Sequence, residues 1–193
     1  STITGGEAKL GGAIYASNLA KVNLTNSVVE NGTAVKGGNI YTNATLTTTN
    51  TTISGGAAMT HGGNIYVTKA GTANLNAGTE IADGVVEYVG GTETVRGGNI
   101  CAYGKLNLDG ATVFGGRATA TYGASNAGKY GMGGNIFVGK EDTNSHRDGK
   151  NEDHILHTVY LLGEDNQVGL GNGDHHTDKE GHRHDEPELA RGR

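Results

Sequence analysis

The apolar residues of this chain recur in short β-prone runs and not at helical spacing. One run alternates apolar and polar positions, as in Val22-Asn23-Leu24, and a second places a β-branched residue before a glycine turn, as in Thr52-Ile53-Ser54-Gly55-Gly56. The third is a pentapeptide of the form Gly-Gly-Asn-Ile-Tyr, and its five copies start at Gly11, Gly37, Gly62, Gly97 and Gly133. Successive copies lie 26, 25, 35 and 36 residues apart. A period of this length indicates a stacked repeat fold.

Each repeat therefore contains three short β-prone segments separated by turns rich in Gly, Asn and Ala. Such strands are unstable alone, but they can pair with the equivalent strands of the repeats above and below. We predict an all-β fold, a parallel β-helix (solenoid) of about six coils with three short strands each and a rise of about 4.8 Å per coil.

The stacking predicts which side chains share a column. Two inward columns contain mostly β-branched residues, which pack well on a pleated surface, and a third contains mostly leucine. They are Ile3, Val29, Ile53, Ile81, Val113 and Val168; Ile14, Ile40, Ile65, Ile100 and Ile136; and Leu24, Thr48, Leu75, Leu108 and Leu161. The residues after the pentapeptide isoleucines form a column that faces outward or into a corner: Tyr15, Tyr41, Tyr66, Cys101 and Phe137.

The pentapeptide itself is interpreted as a corner. A sharp bend requires a positive φ or a close approach to the next coil, and glycine allows both. Stacked amides can hydrogen-bond along the axis, and the predicted ladder consists of Asn39, Asn64, Asn99 and Asn135.

These motifs resemble the Gly-Gly-[Ala/Asn]-Ile repeats of large bacterial surface proteins, over about residues 1–140. Such repeats occur in chlamydial polymorphic outer-membrane autotransporters and in adhesin-like proteins of gut Firmicutes. The resemblance implies a right-handed β-helix and an extracellular or cell-surface location.

Composition changes along the chain. Residues 1–140 carry a net charge of +2, whereas residues 141–193 carry −7 and seven of the eight histidines. This shift is a candidate boundary, but degraded repeat elements continue to Gly171. We therefore predict a β-helix over 1–173 and a charged, His-rich tail over 174–193. Neither part is basic enough to indicate nucleic-acid binding, and no membrane span is visible in the segment. The single cysteine, Cys101, is expected to be a buried small hydrophobe.

Three insertions interrupt the repeat, near 85–95, 118–132 and 141–157. Function in solenoids concentrates in such loops. The first two lie on the same side, where Tyr88, Tyr122 and Tyr130 are candidates for a rim that binds a glycan or a protein. The alternative is a pair of tolerated surface loops.

The tail offers a candidate metal site. Imidazole and carboxylate groups suit Zn²⁺, and a glycine-rich run ending at Asp174 faintly resembles a calcium-binding repeat. The candidate ligands are Asp174, His175, His176, His182 and His184. The alternative is a solvated tail without metal, and no other cofactor is expected.

The expected function is non-catalytic: a rigid stalk, an adhesive surface, or both. Axial self-association, or neighbouring repeats of a longer chain, would cover the open ends of the strand ladder. The alternative is a polysaccharide lyase or glycoside hydrolase, which requires clustered carboxylates. The single local group of acids in 1–140 is Glu80, Asp83, Glu87 and Glu93 near Arg96.

Overall fold

The computed structural model describes residues 1–89, 94–121 and 131–139, and the backbone of two further short strands. The strands of the first three coils are β1 (Thr2–Thr4), β2 (Glu7–Leu10), β3 (Ile14–Ala16), β4 (Lys21–Glu30), β5 (Thr33–Lys36), β6 (Ile40–Thr42), β7 (Thr45–Ser54), β8 (Ala57–His61) and β9 (Ile65–Val67).

Two larger coils follow. Their strands are β10 (Thr72–Leu75), β11 (Glu80–Ala82), β12 (Val85–Val89), β13 (Val95–Arg96), β14 (Ile100–Ala102), β15 (Lys105–Asp109), β16 (Thr112–Phe114), β17 (Arg117–Thr121), β18 (Gly131–Met132) and β19 (Ile136–Val138). The sixth coil contributes β20 (Val159–Leu162) and β21 (Gln167–Val168).

These strands form three sheets of nine, seven and five strands. The pairings join each strand to its equivalent in the neighbouring coil, in parallel orientation, as in β6 with β9 and β14 with β19. The chain is therefore a right-handed parallel β-helix of about six coils, as the sequence predicts.

The stacking order of the three predicted columns is confirmed residue by residue, although Ile3, in the first coil, is exposed. The pairing register aligns Ile14 with Ile40, Ile65, Ile100 and Ile136. It also aligns Ile3 through Val168 and Leu24 through Leu161 in the predicted order. Thr48 is the polar member of the third column, and its hydroxyl lies 2.9 Å from the hydroxyl of Thr79 inside the core. The polar group is thus satisfied where it is buried.

The nine-stranded sheet covers two faces of the helix. In the second and third coils, β4 and β7 run through the corner between these faces, so each joins two of the predicted short strands into one of ten residues. Asn26 and Asn50 make the bend with φ of 50° and 46°. Asparagine tolerates this left-handed conformation better than other non-glycine residues, and the Asn50 amide donates a 2.6 Å hydrogen bond to Asn26.

Glycine is required at the two positions of each pentapeptide for different reasons. The first has a positive φ, for example 62° at Gly62. The second has no positive φ, but a Cβ on Gly63 would lie 2.1 Å from the carbonyl oxygen of Gly98 in the next coil. The predicted bend and close approach are therefore both present, one at each glycine.

The corner asparagines form a buried ladder along the axis. Hydrogen bonds of 2.7 to 2.9 Å between side-chain amides join Asn39 to Asn64, Asn64 to Asn99, and Asn99 to Asn135. Each side-chain oxygen also accepts a backbone N–H from the preceding corner, as Asn64 does from Gly56 at 2.9 Å. The ladder therefore ties two corners of each coil together as well as successive coils.

Candidate functional site

The residues that immediately precede the double glycines form a basic column. The register aligns Leu10, Lys36, His61, Arg96 and Met132 on successive coils. We call Lys36, His61 and Arg96 the basic column. It lies at the last residues of β5, β8 and β13, next to the glycine corner.

An aromatic column runs beside it, one strand further along each coil. The predicted order is confirmed: Tyr15, Tyr41, Tyr66, Cys101 and Phe137 are aligned in register. The first three rings are stacked, with centroids 5.3 and 5.1 Å apart. Exposure falls along the column, from 55% for Tyr15 to 1% for Tyr66. The buried part also includes Tyr103, which follows β14 and packs against Tyr66 and Phe137.

The two columns touch along the axis. The Lys36 amine lies over the Tyr66 ring, 5.2 Å from its centroid, and the Arg96 guanidinium lies 5.4 Å from the centroid of Phe137. The His61 ring meets the edge of Tyr66 with centroids 5.9 Å apart. Cation–π attraction of this kind holds cationic side chains against aromatic faces.

His61 is the centre of this arrangement and is held neutral. Burial first, and then the charges of Lys36 and Arg96, lower its pKa from 6.5 to about 3. Arg96 Nη1 lies 3.1 Å from His61 Nε2. Since a guanidinium only donates, Nε2 must accept and the ring proton must be on Nδ1. Nδ1 is buried without a hydrogen-bond partner, which costs about 1–3 kcal/mol.

Tyr103 completes the polar contacts of Arg96. The same Nη1 donates to the Tyr103 hydroxyl at 3.1 Å. Burial raises the pKa of Tyr103 well above its usual value, with a further increase from Cys101, and Arg96 acts in the opposite direction. The phenol is therefore neutral at physiological pH, so the cluster carries the positive charges of Lys36 and Arg96.

The first predicted insertion begins as a regular strand. In β12, Val85 and Val86 pair with β8, whereas residues 85–89 pair along their whole length with β17. Tyr88 is half-buried there and packs against an apolar cluster of Ala58, Val86, Val95, Ala118 and Ala120. Tyr122 and Tyr130, the other two rim candidates, lie outside the described residues.

Glu87, one of the acids near this insertion, and Arg96 have different partners. Glu87 pairs with Arg117 at 3.6 Å on the exposed surface, whereas Arg96 contacts His61 and Tyr103. Glu93 and the candidate metal ligands of the tail lie outside the described residues. Within the described part, no three His, Cys, Asp or Glu side chains are close enough together to hold a metal ion.

Sequence reasoning missed the basic column, although a signal is present. The residue before the double glycine is Lys, His and Arg in three successive repeats. Position-by-position comparison of the repeats at this site would have found it. The contact with Tyr103 had no such signal, because the equivalent residues of the neighbouring coils, Asn43, Thr68 and Gly139, are not aromatic.

Comparison with protein-family models, curated proteins and solved structures finds no match for this chain. The fold and the two surface columns therefore define only a class, the parallel β-helix with a basic and aromatic strip along its axis. Among the described residues, no helix is long and apolar enough to cross a membrane.

Proposed function

We propose that this chain is a non-catalytic segment of an extracellular surface protein, in which a rigid β-helix presents a binding face to a glycan or a protein. The observation that carries the proposal is the continuous strip made by the basic and aromatic columns. It extends over successive coils, with Lys36, His61 and Arg96 in one column beside Tyr15, Tyr41 and Tyr66 in the other.

The end of the strip at Tyr15 and Tyr41 is available for contacts, whereas His61, Tyr66 and Cys101 are buried. The core is filled by the inward aliphatic columns, and the corner amides are satisfied within their own ladder. The strip lies outside that core. Tyrosine is frequent in binding surfaces because it offers a large apolar ring with a polar tip, and the exposed Tyr15 and half-exposed Tyr41 have this character.

The proposed location at a bacterial cell surface rests on the resemblance of the glycine pentapeptides to repeats of adhesin-like proteins. Stiffness fits the role of a stalk. The first five coils are hydrogen-bonded to one another through three sheets, so a bound ligand meets a surface whose spacing is fixed at about 4.8 Å per coil.

We further propose that another chain or further repeats pair with the open edge of the first coil. β1, β2 and β3 each pair with one strand, in the second coil. An unpaired strand edge is a template for association. Sedimentation that shows a single monomer at all concentrations, for a chain including its natural neighbouring segments, would argue for coverage by repeats and against self-association.

The binding face can be tested with a glycan array and a cell-binding assay. The double variant Tyr15→Ala with Tyr41→Ala should lose most binding of any ligand that the intact chain retains. Val89→Ala, which changes a 71% exposed residue on the insertion, is the control and should bind normally. Shortening of a bound polysaccharide by the intact chain would instead support the alternative function, a polysaccharide lyase or glycoside hydrolase. Equal binding by all variants would reject the strip as the binding surface.

A further inference from the structure

We propose that Lys36 and His61 form a binding site for the carboxylate of an acidic sugar. This inference rests on the proposed function, because it names the ligand class of the same binding face. The site uses one cation and one neutral N–H donor from adjacent coils, at positions that the pairing register brings side by side.

The first argument is the unused donor. His61 Nε2 is occupied by Arg96 at 3.1 Å, which places the proton on Nδ1. His61 is more than nine-tenths buried, and Nδ1 has no hydrogen-bond partner. Buried donors without an acceptor are rare in native proteins and call for an explanation. A ligand oxygen is an acceptor that would satisfy this N–H.

The second argument is charge. Lys36 is in contact with the Tyr66 ring, and no ion pair involving it is found among the described residues. Of the strands around it, β5, β8, β13, β6, β9 and β14 contain no Asp or Glu, and the one acid of the paired strand β2, Glu7, is aligned with Thr33 at the other end of β5. A buried water could accept one N–H bond, but it would not neutralise the ammonium. A carboxylate does both, since its two oxygens can accept from two donors.

The third argument is the aromatic neighbour. Tyr41 lies in the same coil as Lys36, and its ring continues to the exposed Tyr15 with a centroid distance of 5.3 Å. A sugar chain lying along the axis can place C–H groups against these rings while its carboxylate reaches Lys36. The aromatic column therefore favours a saccharide over a small inorganic anion.

Access to His61 Nδ1 requires movement of the side chains around it, and we assign this movement to Lys36. Nδ1 is covered, and the Lys36 amine lies across the neighbouring ring, 5.2 Å from its centroid. The lysine side chain has four flexible methylenes, so the ligand draws its amine from the ring face toward the carboxylate. The oxygen then takes the position from which it accepts the His61 Nδ1–H.

The test uses the whole chain and a defined ligand pair. A uronic-acid trisaccharide and its methyl ester are titrated by calorimetry and by two-dimensional NMR of the ¹⁵N-labelled imidazole. We expect the wild type to bind the acid, to bind the neutral ester at least about tenfold more weakly, and to show a shift of the His61 Nδ1–H signal on addition of the acid.

The variants distinguish the contributions of Lys36 and His61 to binding from a general effect of the positive charge of the chain. Lys36→Met and His61→Phe should each weaken binding of the acid about tenfold or more, because each removes one charge-assisted contact. Lys21→Met removes an exposed cation from β4, away from the site, and should leave binding unchanged. Backbone NMR spectra of each variant verify folding. If His61→Phe is unfolded, the carboxylate site is tested by the shift of the wild-type imidazole signal and by the affinity of Lys36→Met for the acid.

Three results would overturn the inference: no binding of the acid by the wild type, equal binding of acid and ester, or equal binding by Lys36→Met and Lys21→Met. The proposed function is judged separately. If Tyr15 and Tyr41 are needed for binding of a neutral glycan or a protein while Lys36→Met has no effect, the binding face stands and the carboxylate site is rejected.

Discussion

At the scale of the residue, the corner asparagines show how a polar side chain becomes a structural element. The Asn64 amide accepts from Gly56 and Asn39 and donates to Ala82 and Asn99, with distances of 2.7 to 2.9 Å. All four contacts are inside the protein. The pentapeptide of the first coil has Ala13 at this position, so the ladder begins at Asn39.

We expect Asn64→Ala to lower the free energy of unfolding by about 3 kcal/mol or more, because it leaves the Gly56 N–H and the Asn39 amide without their partners. Asn74→Ala is the matched control, since Asn74 belongs to an outward amide pair with Asn107 at 2.6 Å where water can replace the bond. It should cost less than about 1 kcal/mol. Urea unfolding measures both, and equal losses would contradict the structural role of the buried ladder.

His61 gives a second prediction at this scale, in the pH dependence of stability. Its pKa is about 3 in the folded chain and 6.5 without the protein environment. Between these values the unfolded chain binds a proton that the folded chain does not, so stability must fall as the pH falls below about 6.5. The slope reaches at most about 1.4 kcal/mol per pH unit.

Urea unfolding at pH 7, 6 and 5 should therefore show a loss in wild type that His61→Gln lacks. Every other titratable group is the same in the two proteins, so the difference between them isolates His61. If the two proteins lose stability in parallel, the imidazole is charged in the folded state and its assignment as a neutral donor on Nδ1 is wrong.

At the scale of the element, glycine is required for two separate physical reasons, seen at Gly63 in a pentapeptide corner and at Gly5 in the turn after β1. A Cβ at Gly63 would meet the carbonyl oxygen of Gly98 at 2.1 Å and the N of Val85 at 2.4 Å. Both contacts are with backbone and cannot be relieved by a side-chain rotation. At Gly5 a Cβ would meet nothing within 4 Å, and the strain comes only from φ of 72°.

Alanine substitution should separate these reasons. Gly63→Ala is expected to cost more than about 4 kcal/mol, since the coils must move apart. Gly5→Ala is expected to cost about 1–2 kcal/mol, the penalty of a left-handed conformation. Thermal unfolding followed by circular dichroism compares them. A larger loss at Gly5 would mean that dihedral strain, and not the approach of coils, determines the choice of glycine.

At the scale of the whole molecule, the chain is a one-dimensional stack in which each coil contacts mainly its neighbours. The isoleucine column shows the consequence: Ile14 is half-buried in the first coil, whereas Ile65 is fully buried in the third. Stability in such stacks is a sum of coil and interface contributions, so the position of a lost side chain determines how far the effect spreads.

Hydrogen exchange should reveal this difference. Ile14→Ala should increase exchange in β1–β3 and leave the central coils protected, because the terminal coil can open alone. Ile65→Ala should raise exchange on both sides of the third coil, with a loss of about 2–5 kcal/mol in global stability. Uniform loss of protection in both variants would indicate a single cooperative unit.

Much of the architecture was predictable from the sequence. The three recurring elements together predicted about six coils and the three inward columns, and the pentapeptide predicted the amide ladder, because a stacked fold repeats the same environment at each period. The same period predicted the order of Tyr15, Tyr41, Tyr66, Cys101 and Phe137, but left open whether they face outward or into a corner. The buried state of Cys101 is also confirmed.

The tertiary structure decided what the repeats do not share. Tyr103 reaches Arg96, Lys36 lies over Tyr66, and His61 loses its charge because side chains from different coils meet there. The β12 strand pairs with β8 only at Val85 and Val86 but with β17 over residues 85–89. Periodicity determines which residues stack, whereas the burial and charge of each residue depend on its particular neighbours.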